Sequence, residues 1–231
     1  MKGKQLLLTG GTGGLGLGVT PVVVASGAQV TIPYRSESGV ARLKERMPAA
    51  EFERIRFLKA DLNDESVVEK LVNDLGRVDI LIHLVGGFSM GRTDEFSFQN
   101  WQDSFALNLD TTFLVCKHCL RVMRRHGYGR IVTVGSRGAL QPGAQLAAYC
   151  ASKAGVVALT QAIAQETKDL DITANVVLPS VIDTPSNREA MGEEQASQWV
   201  KAESLAEVIC FLVSEAARDV RGAVVPVYGS I

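Results

Sequence analysis

Tyr149 and Lys153 stand four residues apart in the run Tyr149-Cys150-Ala151-Ser152-Lys153. On a helix that spacing puts the phenol and the ammonium on one face. A nearby ammonium favours phenolate and draws the tyrosine pKa from about 10 toward working pH. A phenol so tuned gives a proton to a carbonyl oxygen or takes one from an alcohol. The same spacing also arises where a lysine stem simply packs over an exposed ring. Ser136 follows the run Arg130-Ile131-Val132-Thr133-Val134-Gly135, thirteen residues before Tyr149. A hydroxyl there can hydrogen-bond a reacting oxygen, or only satisfy local backbone. Asn108 is the polar residue of Phe105-Ala106-Leu107-Asn108-Leu109. Burial would oblige it to find partners, either backbone and an ordered water near Lys153 or a bent helix.

A second cluster suits phosphate. Thr9-Gly10-Gly11-Thr12-Gly13-Gly14-Leu15-Gly16 closes an apolar run and opens a helical one. Its glycines permit a tight turn and close approach of backbone, with free N–H groups at a helix start facing negative charge. No Gly-Lys-Ser/Thr follows, which excludes a P-loop. A dinucleotide with a free ribose 2′-hydroxyl usually meets an acidic side chain about twenty residues later. Here the sequence is Pro33-Tyr34-Arg35-Ser36, with Glu37 only afterwards. Arg35 and Ser36 are therefore expected to hold a 2′-phosphate, which selects NADP over NAD. The alternative is a solvated Arg35 with Glu37 folding back to the ribose. Asp61-Leu62 is placed near the adenine, or Asp61 caps a helix that begins near Asn63 or Asp64.

These groups need elements to carry them. Short apolar runs at 5–9, 29–34, 55–59, 79–84, 130–135, 172–178 and 224–227 alternate with helical stretches such as 65–75 and 151–167. Continuous apolar strands separated by helices predict a parallel sheet covered on both faces, a doubly wound α/β fold. Pro21 falls inside the first helix, where it is expected to bend the axis. Nothing divides the chain, so one domain over 1–231 is expected. A segment around 182–204, containing Pro185 and Trp199, reads either as a short mobile cover over a pocket or as a surface loop with one helical turn, its place at the strands' carboxyl ends favouring the first.

Composition narrows the classes. The 231 residues carry 24 Lys+Arg against 25 Asp+Glu, for a net charge of −1. That gives no basic excess for nucleic acid. Four cysteines make no secreted disulfide framework. Cys116 and Cys119 have CxxC spacing inside a helical run, so two buried or half-buried thiols are expected rather than a redox or metal site. No run approaches the 20 or so apolar residues of a membrane span, and the amino-terminal run is too short for a secretory core. A cytoplasmic location is the expectation.

Taken together these motifs resemble the short-chain dehydrogenase/reductase family over nearly the whole length. TGGTGGLG at 9–16 fits its TGxxxGxG, and Asn108, Ser136, Tyr149 and Lys153 fit its four catalytic positions in order and spacing. The segment at 175–184 is similar to NxVxPGxIxT, with Ser180 in place of Gly. His83-Leu84-Val85-Gly86 stands where the family has NNAG, and a structural histidine is expected there. The resemblance implies a Rossmann sheet of seven strands ordered 3-2-1-4-5-6-7. It implies tyrosine as acid/base, lysine on the nicotinamide ribose, serine on the substrate oxygen and asparagine on a relay water. It also places Val85, Gly86, Pro179, Val181 and Thr184 against an NADP(H) cofactor, and implies a homodimer or homotetramer. Phe113, Val115, Cys119, Val156, Leu159 and Ile163 read as apolar surplus for such an interface.

The expected reaction is hydride transfer between NADPH and a carbonyl or secondary alcohol, leaning to ketone reduction. The stretches 87–91, 141–147 and 185–199 are the expected pocket walls, with Phe88, Met90, Leu140, Leu146, Met191 and Trp199. The nearest analogy is 3-oxoacyl-carrier-protein reductase, for which Arg124, Arg125 and Arg130 could form part of a cationic rim. A general carbonyl, sugar or quinone-type reductase fits equally. A non-catalytic nucleotide sensor explains the glycine turn but not Ser136, Tyr149 and Lys153.

Overall fold

The computed structural model describes residues 1–230. Strands β1 (Gln5–Thr9), β2 (Gln29–Tyr34), β3 (Arg56–Lys59), β4 (Ile80–His83), β5 (Tyr128–Val134) and β6 (Asp171–Pro179) belong to one sheet. Two short strands, β7 (Ile182–Asp183) and β8 (Val200–Lys201), pair only with each other, and β9 (Val224–Val227) closes the main sheet. The sheet has seven parallel strands in the order β3-β2-β1-β4-β5-β6-β9. This is the expected order, with Val224–Val227 in seventh place.

Alternation within each apolar run feeds two cores. Leu6, Leu8, Ile32, Ile80, Ile82 and Val132 point to the face covered by α1 (Gly16–Ala25) and, near the carboxyl end, the helix Ala202–Leu212. Leu7, Leu81 and Ile131 point the other way, toward Val68 and Leu71 of one helix and Val115 and Cys119 of another. Both faces are dry, which is why the strands read as continuous apolar runs.

The remaining helices are α2 (Glu37–Lys44), α3 (Ala49–Phe52), α4 (Glu65–Leu75), α5 (Phe98–Phe105), α6 (Thr111–His126), α7 (Ala147–Glu166) and α8 (Pro185–Met191), with Ala202–Leu212 as α9. α1 runs on through Pro21 to Ala25. The helix accommodates the proline at the cost of the one internal bond that it cannot donate. Asp64 caps α4 by accepting from the Ser66 and Val67 N–H groups. The 182–204 segment is folded, through β7, α8 and β8, and Trp199 is buried rather than facing a pocket.

Cys116 and Cys119 lie buried in α6, and burial pushes the Cys116 thiol up to about 12. Of the six residues expected to be surplus, Val115, Cys119, Val156 and Ile163 pack in the chain's own core, whereas Phe113 is exposed. Arg130 is no rim cation either. It is fully buried, with Nη2 at 2.8 Å from Asp171 Oδ1 and its guanidinium over the Tyr128 ring. No helix among the described residues is long and apolar enough to cross a membrane.

Candidate active site

β1 pairs with β2 on one side and β4 on the other, so the chain reverses direction of winding there and leaves a crevice at the strands' carboxyl ends. The glycine turn fills its floor. Gly10 has φ +75, and a Cβ on it would lie 2.9 Å from Leu84 C and Val85 N. A Cβ on Gly16 would collide with Gly10 O and with Gly11. Gly10→Ala is therefore expected to lower stability by about 1–3 kcal/mol, a fall in Tm of several degrees readable by calorimetry. An unchanged Tm would contradict the strain. No side chain caps the amino end of α1; its Leu17, Gly18 and Val19 N–H groups already bond Gly13 O and Leu15 O, so an anion would meet the glycine turn just ahead of them.

A cavity of about 350 Å3 opens over this turn, lined by Gly10, Thr12, Gly13, Gly14, Leu15, Arg35, Asp61, Leu62, Val85 and Gly86. These are ten of the residues expected to hold the cofactor. Tyr34, Asn63, Leu84, Leu107 and Thr111 line it as well and were not foreseen. Tyr34 adjoins Arg35, so the end of β2 was signal enough. Leu107 and Thr111 arrive through a turn of helix that sequence periodicity does not reveal. Gly16 packs beneath the turn, and Pro179 and Val181 stand outside the lining. Thr184 lies near Gly14, its Cβ 3.8 Å from where a Gly14 Cβ would be. Its hydroxyl caps α8, accepting from Asn187 N–H at 3.2 Å.

Ser36 departs from expectation. Its hydroxyl pairs with Ser38 (2.6 Å) at the head of α2 and does not line the cavity, because the chain turns into that helix at once. Arg35 is exposed and does line it, close enough to Asp61 to help lower that carboxyl. The larger cause there is the bond from Asn63 N–H (3.0 Å). Asp61 thus closes the turn before α4, while Asp64 is the cap. Glu37 accepts the Tyr34 hydroxyl at 2.8 Å.

The residues expected to react are brought together by the end of β5 and the start of α7. α7 begins at Ala147, so Tyr149 and Lys153 are both helical, one turn apart. Ser136 ends the backbone run of β5; its Oγ accepts Gly138 N–H (3.1 Å), and its hydroxyl faces the Tyr149 phenol oxygen. Lys153 is buried and donates to Val134 O at 2.9 Å. Burial lowers its pKa to about 8. A Cβ on Gly86 would come within 2.9 Å of Lys153 Nζ and 2.8 Å of Asn108 Oδ1, so this glycine gives both groups access to the cavity.

The expected lowering of the Tyr149 pKa by Lys153 is not found. Burial raises it above the ordinary tyrosine value, the nearby Ser136 hydroxyl opposes this, and Lys153 contributes nothing. The ammonium points at Val134 O rather than at the phenol. The Phe88 ring meets Tyr149 edge-on at 5.1 Å.

Asn108 sits in a π-helical turn, Ala106–Asp110, wedged between α5 and α6. Its Oδ1 accepts Gly87 N–H (2.9 Å), and its Nδ2 donates to Gly87 O and to Ser152 Oγ (both 3.1 Å). The amide is therefore a brace between β4's loop and α7, and its N–H donors are spent. His83 is buried, held through Nδ1 by Thr9 Oγ1 at 2.7 Å. Ser180 avoids positive φ and donates to Tyr228 O (2.7 Å), which explains how serine replaces glycine there.

A smaller cavity of about 180 Å3 lies between Ser89, Gly91, Phe96, Trp101, Gln145 and Ala148. Gln145 lines it at φ +65, with its carbonyl accepting Gly91 N–H at 2.8 Å. The stretches 87–91 and 141–147 both contribute, while Phe88, Met90, Leu140 and Met191 are exposed.

Comparison with known proteins agrees with this geometry. Residues 4–195 match the family model described as short chain dehydrogenase. The chain is 31% identical to D-beta-hydroxybutyrate dehydrogenase of Cupriavidus necator, over 97% of this chain and 96% of that protein. It is 29% identical to the 3-oxoacyl-[acyl-carrier-protein] reductase FabG of Escherichia coli, over 100% and 98%. Among solved structures, ElxO with NADP bound superposes with a TM-score of 0.91 at 26% identity, over 99% and 98% of the two chains. Fold, strand order and matched sequence all lead to one conclusion: the chain belongs to the short-chain dehydrogenase family of oxidoreductases.

Proposed function

We propose that this enzyme is an NADP(H)-dependent reductase that moves a hydride between the nicotinamide and a carbonyl or secondary-alcohol carbon, working toward ketone reduction. The observation that carries the reading is the pairing of Ser136 with Tyr149, one helical turn from Lys153, whose Nζ stands beside Gly86 in the lining of the glycine-turn cavity. The cavity suits a dinucleotide: an uncapped helix start, glycines that a Cβ would block, and Arg35 at its outer end. A bound NADP(H) supplies or accepts the hydride.

The chain's own groups do the rest. Tyr149, protonated at neutral pH because burial holds its pKa high, gives its proton to the carbonyl oxygen. Ser136 donates to the same oxygen and stabilises charge developing on it. Lys153 leaves Val134 O in part to hold the ribose hydroxyls, and its charge then favours the phenolate that forms. Asn108 keeps the β4 loop and α7 in place. The cytoplasmic location and assembly as a homodimer or homotetramer belong to the same reading.

NADP over NAD rests on two contacts. Arg35 lines the cavity, and the carboxylate that NAD would need, Glu37, is engaged by Tyr34. Arg35→Ala is expected to weaken NADPH binding by about 10- to 100-fold and leave NADH nearly unchanged. Paired fluorescence titrations measure both. Equal affinities of the intact protein for the two cofactors would overturn the preference.

Two relatives are named for a 3-oxoacyl group and for β-hydroxybutyrate, both oxygenated at carbon 3 of an acyl chain. This supports a second reading, reduction of 3-oxoacyl thioesters presented by a carrier. NADPH oxidation with acetoacetyl thioesters, simple ketones, diketones and quinones separates the two. Binding without turnover across that panel, unaltered by Tyr149→Phe, would identify a nucleotide sensor instead.

A further inference from the structure

Thr9, His83 and Thr133 form one row across the three central strands, Thr9 opposite His83 and His83 opposite Thr133. Register neighbours in a parallel sheet point to the same face. On that face Thr133 reaches Thr160 of α7, Oγ1 to Oγ1, at 2.7 Å. All four residues are buried.

The direction of the hydrogen bonds follows from the two ends of the row. Thr160 donates its hydroxyl proton to Val156 O (2.8 Å). Thr133 must therefore donate to Thr160, and its own oxygen keeps accepting capacity. At the other end, the Thr9 hydroxyl has the His83 ring as its partner. The arrangement that strands no hydroxyl proton has Thr9 donating to Nδ1, which puts the ring proton on Nε2. Nε2 is the break in the row. It is buried and meets no acceptor of the protein, while Thr133, its register neighbour, has lone pairs to spare.

Lys153 stands beside this break. It spends one N–H on Val134 O, the carbonyl next along β5 from Thr133, and an ammonium has three. Burial and then the Lys153 charge drive the His83 pKa down to about 3, and no other charged group acts on the ring.

We propose that one buried water completes the row, accepting from His83 Nε2–H, donating to Thr133 Oγ1 and turning its remaining lone pair to Lys153 Nζ. His83 is then a positioning residue for the ammonium. Three hydrogen bonds are the usual complement of an internal water. An oxygen aimed at an ammonium favours its charged form and offsets part of the burial that pulls Lys153 down. The kinetic consequence rests on the role of Lys153 proposed above; the water itself does not.

The experiment has two arms. In the first, long-range 1H–15N spectra of the wild type read the ring's tautomer, and a crystal structure reads the gap. A neutral Nε2–H ring from about pH 5 to 9 and a water within hydrogen-bond reach of Nε2 and Thr133 Oγ1 are expected. An Nδ1–H ring, or a gap without that water, overturns the proposal. In the second, His83→Leu and Thr133→Val each remove one of the water's partners. Each should shift the alkaline limb of kcat/KM down by about one pH unit, a loss of several-fold at pH 8 with little change at pH 6. His83→Asn, whose amide N–H donates as the ring does, should restore the limb. Parallel profiles in Leu and Val, or no rescue by Asn, also overturn it. Absence of turnover in the wild type would sink the reductase reading and leave the first arm intact.

Discussion

Tyr149→Phe should bind NADPH as the intact protein does and reduce carbonyl substrate about 10²- to 10⁴-fold more slowly. The substitution removes one hydroxyl from a half-buried ring whose other contact, the edge of Phe88, survives. Binding is unaffected because the ring does not line the cavity over the glycine turn. Turnover collapses because Ser136 has one proton to offer and the reduced oxygen needs a proton transferred, not merely shared. The pH dependence has a definite sign. Burial keeps the phenol protonated beyond its ordinary range, so reduction holds its rate through neutral pH, and the first decline above it comes from Lys153, whose pKa is about 8, rather than from the phenol. Initial rates of NADPH oxidation, with affinity from cofactor fluorescence, test both halves. Full activity in the phenylalanine variant would remove the acid from the mechanism.

Lys153→Met should give up turnover by about 10²- to 10³-fold and yet unfold less easily at pH 7. The lysine is buried, and its pKa falls from 10.5 to about 8. Below pH 8 the ammonium is charged in both folded and unfolded chains, and burying it costs stability. Between pH 8 and 10.5 the folded protein sheds the proton first, so the cost disappears as pH rises through that window. Methionine removes the charge and fills similar space, a gain of up to about 3 kcal/mol at neutral pH. Loss of the bond to Val134 O takes back about 1 kcal/mol. Urea unfolding at pH 7 and pH 10 measures the difference. A variant less stable than the wild type at pH 7 would show that the ammonium is better accommodated than its burial implies.

The architecture could be read from the chain because both faces of the sheet are dry. Each strand then appears as an unbroken apolar run, and 5–9, 29–34 and 224–227 coincide with β1, β2 and β9. Where the ladder outlasts the apolar run, the reading fell short: β5 starts at Tyr128-Gly129 and β6 at Asp171, paired across from each other. α7 starts earlier than 151 because no side chain caps it and nothing in Leu146-Ala147 announces a start. That Tyr149 and Lys153 would share a helix was legible from their spacing. Their protonation was not, since it depends on where Lys153 Nζ points and how deeply Tyr149 is covered, and both are tertiary facts. Glu37 shows the same limit: its engagement by Tyr34 is a matter of rotamers.

The π-turn at Ala106–Asp110 carries one residue more than ordinary winding needs. Excising a single position there would let the coil relax to its usual pitch and swing everything upstream by about 100° around the axis. Trp101, which walls the smaller cavity, and Phe105, packed against it at 4.7 Å on α5, would then face a different direction. Chain length in these five residues thus sets the aim of an aromatic surface and of an amide together, so a one-residue deletion should do more damage than most replacements of the residues themselves.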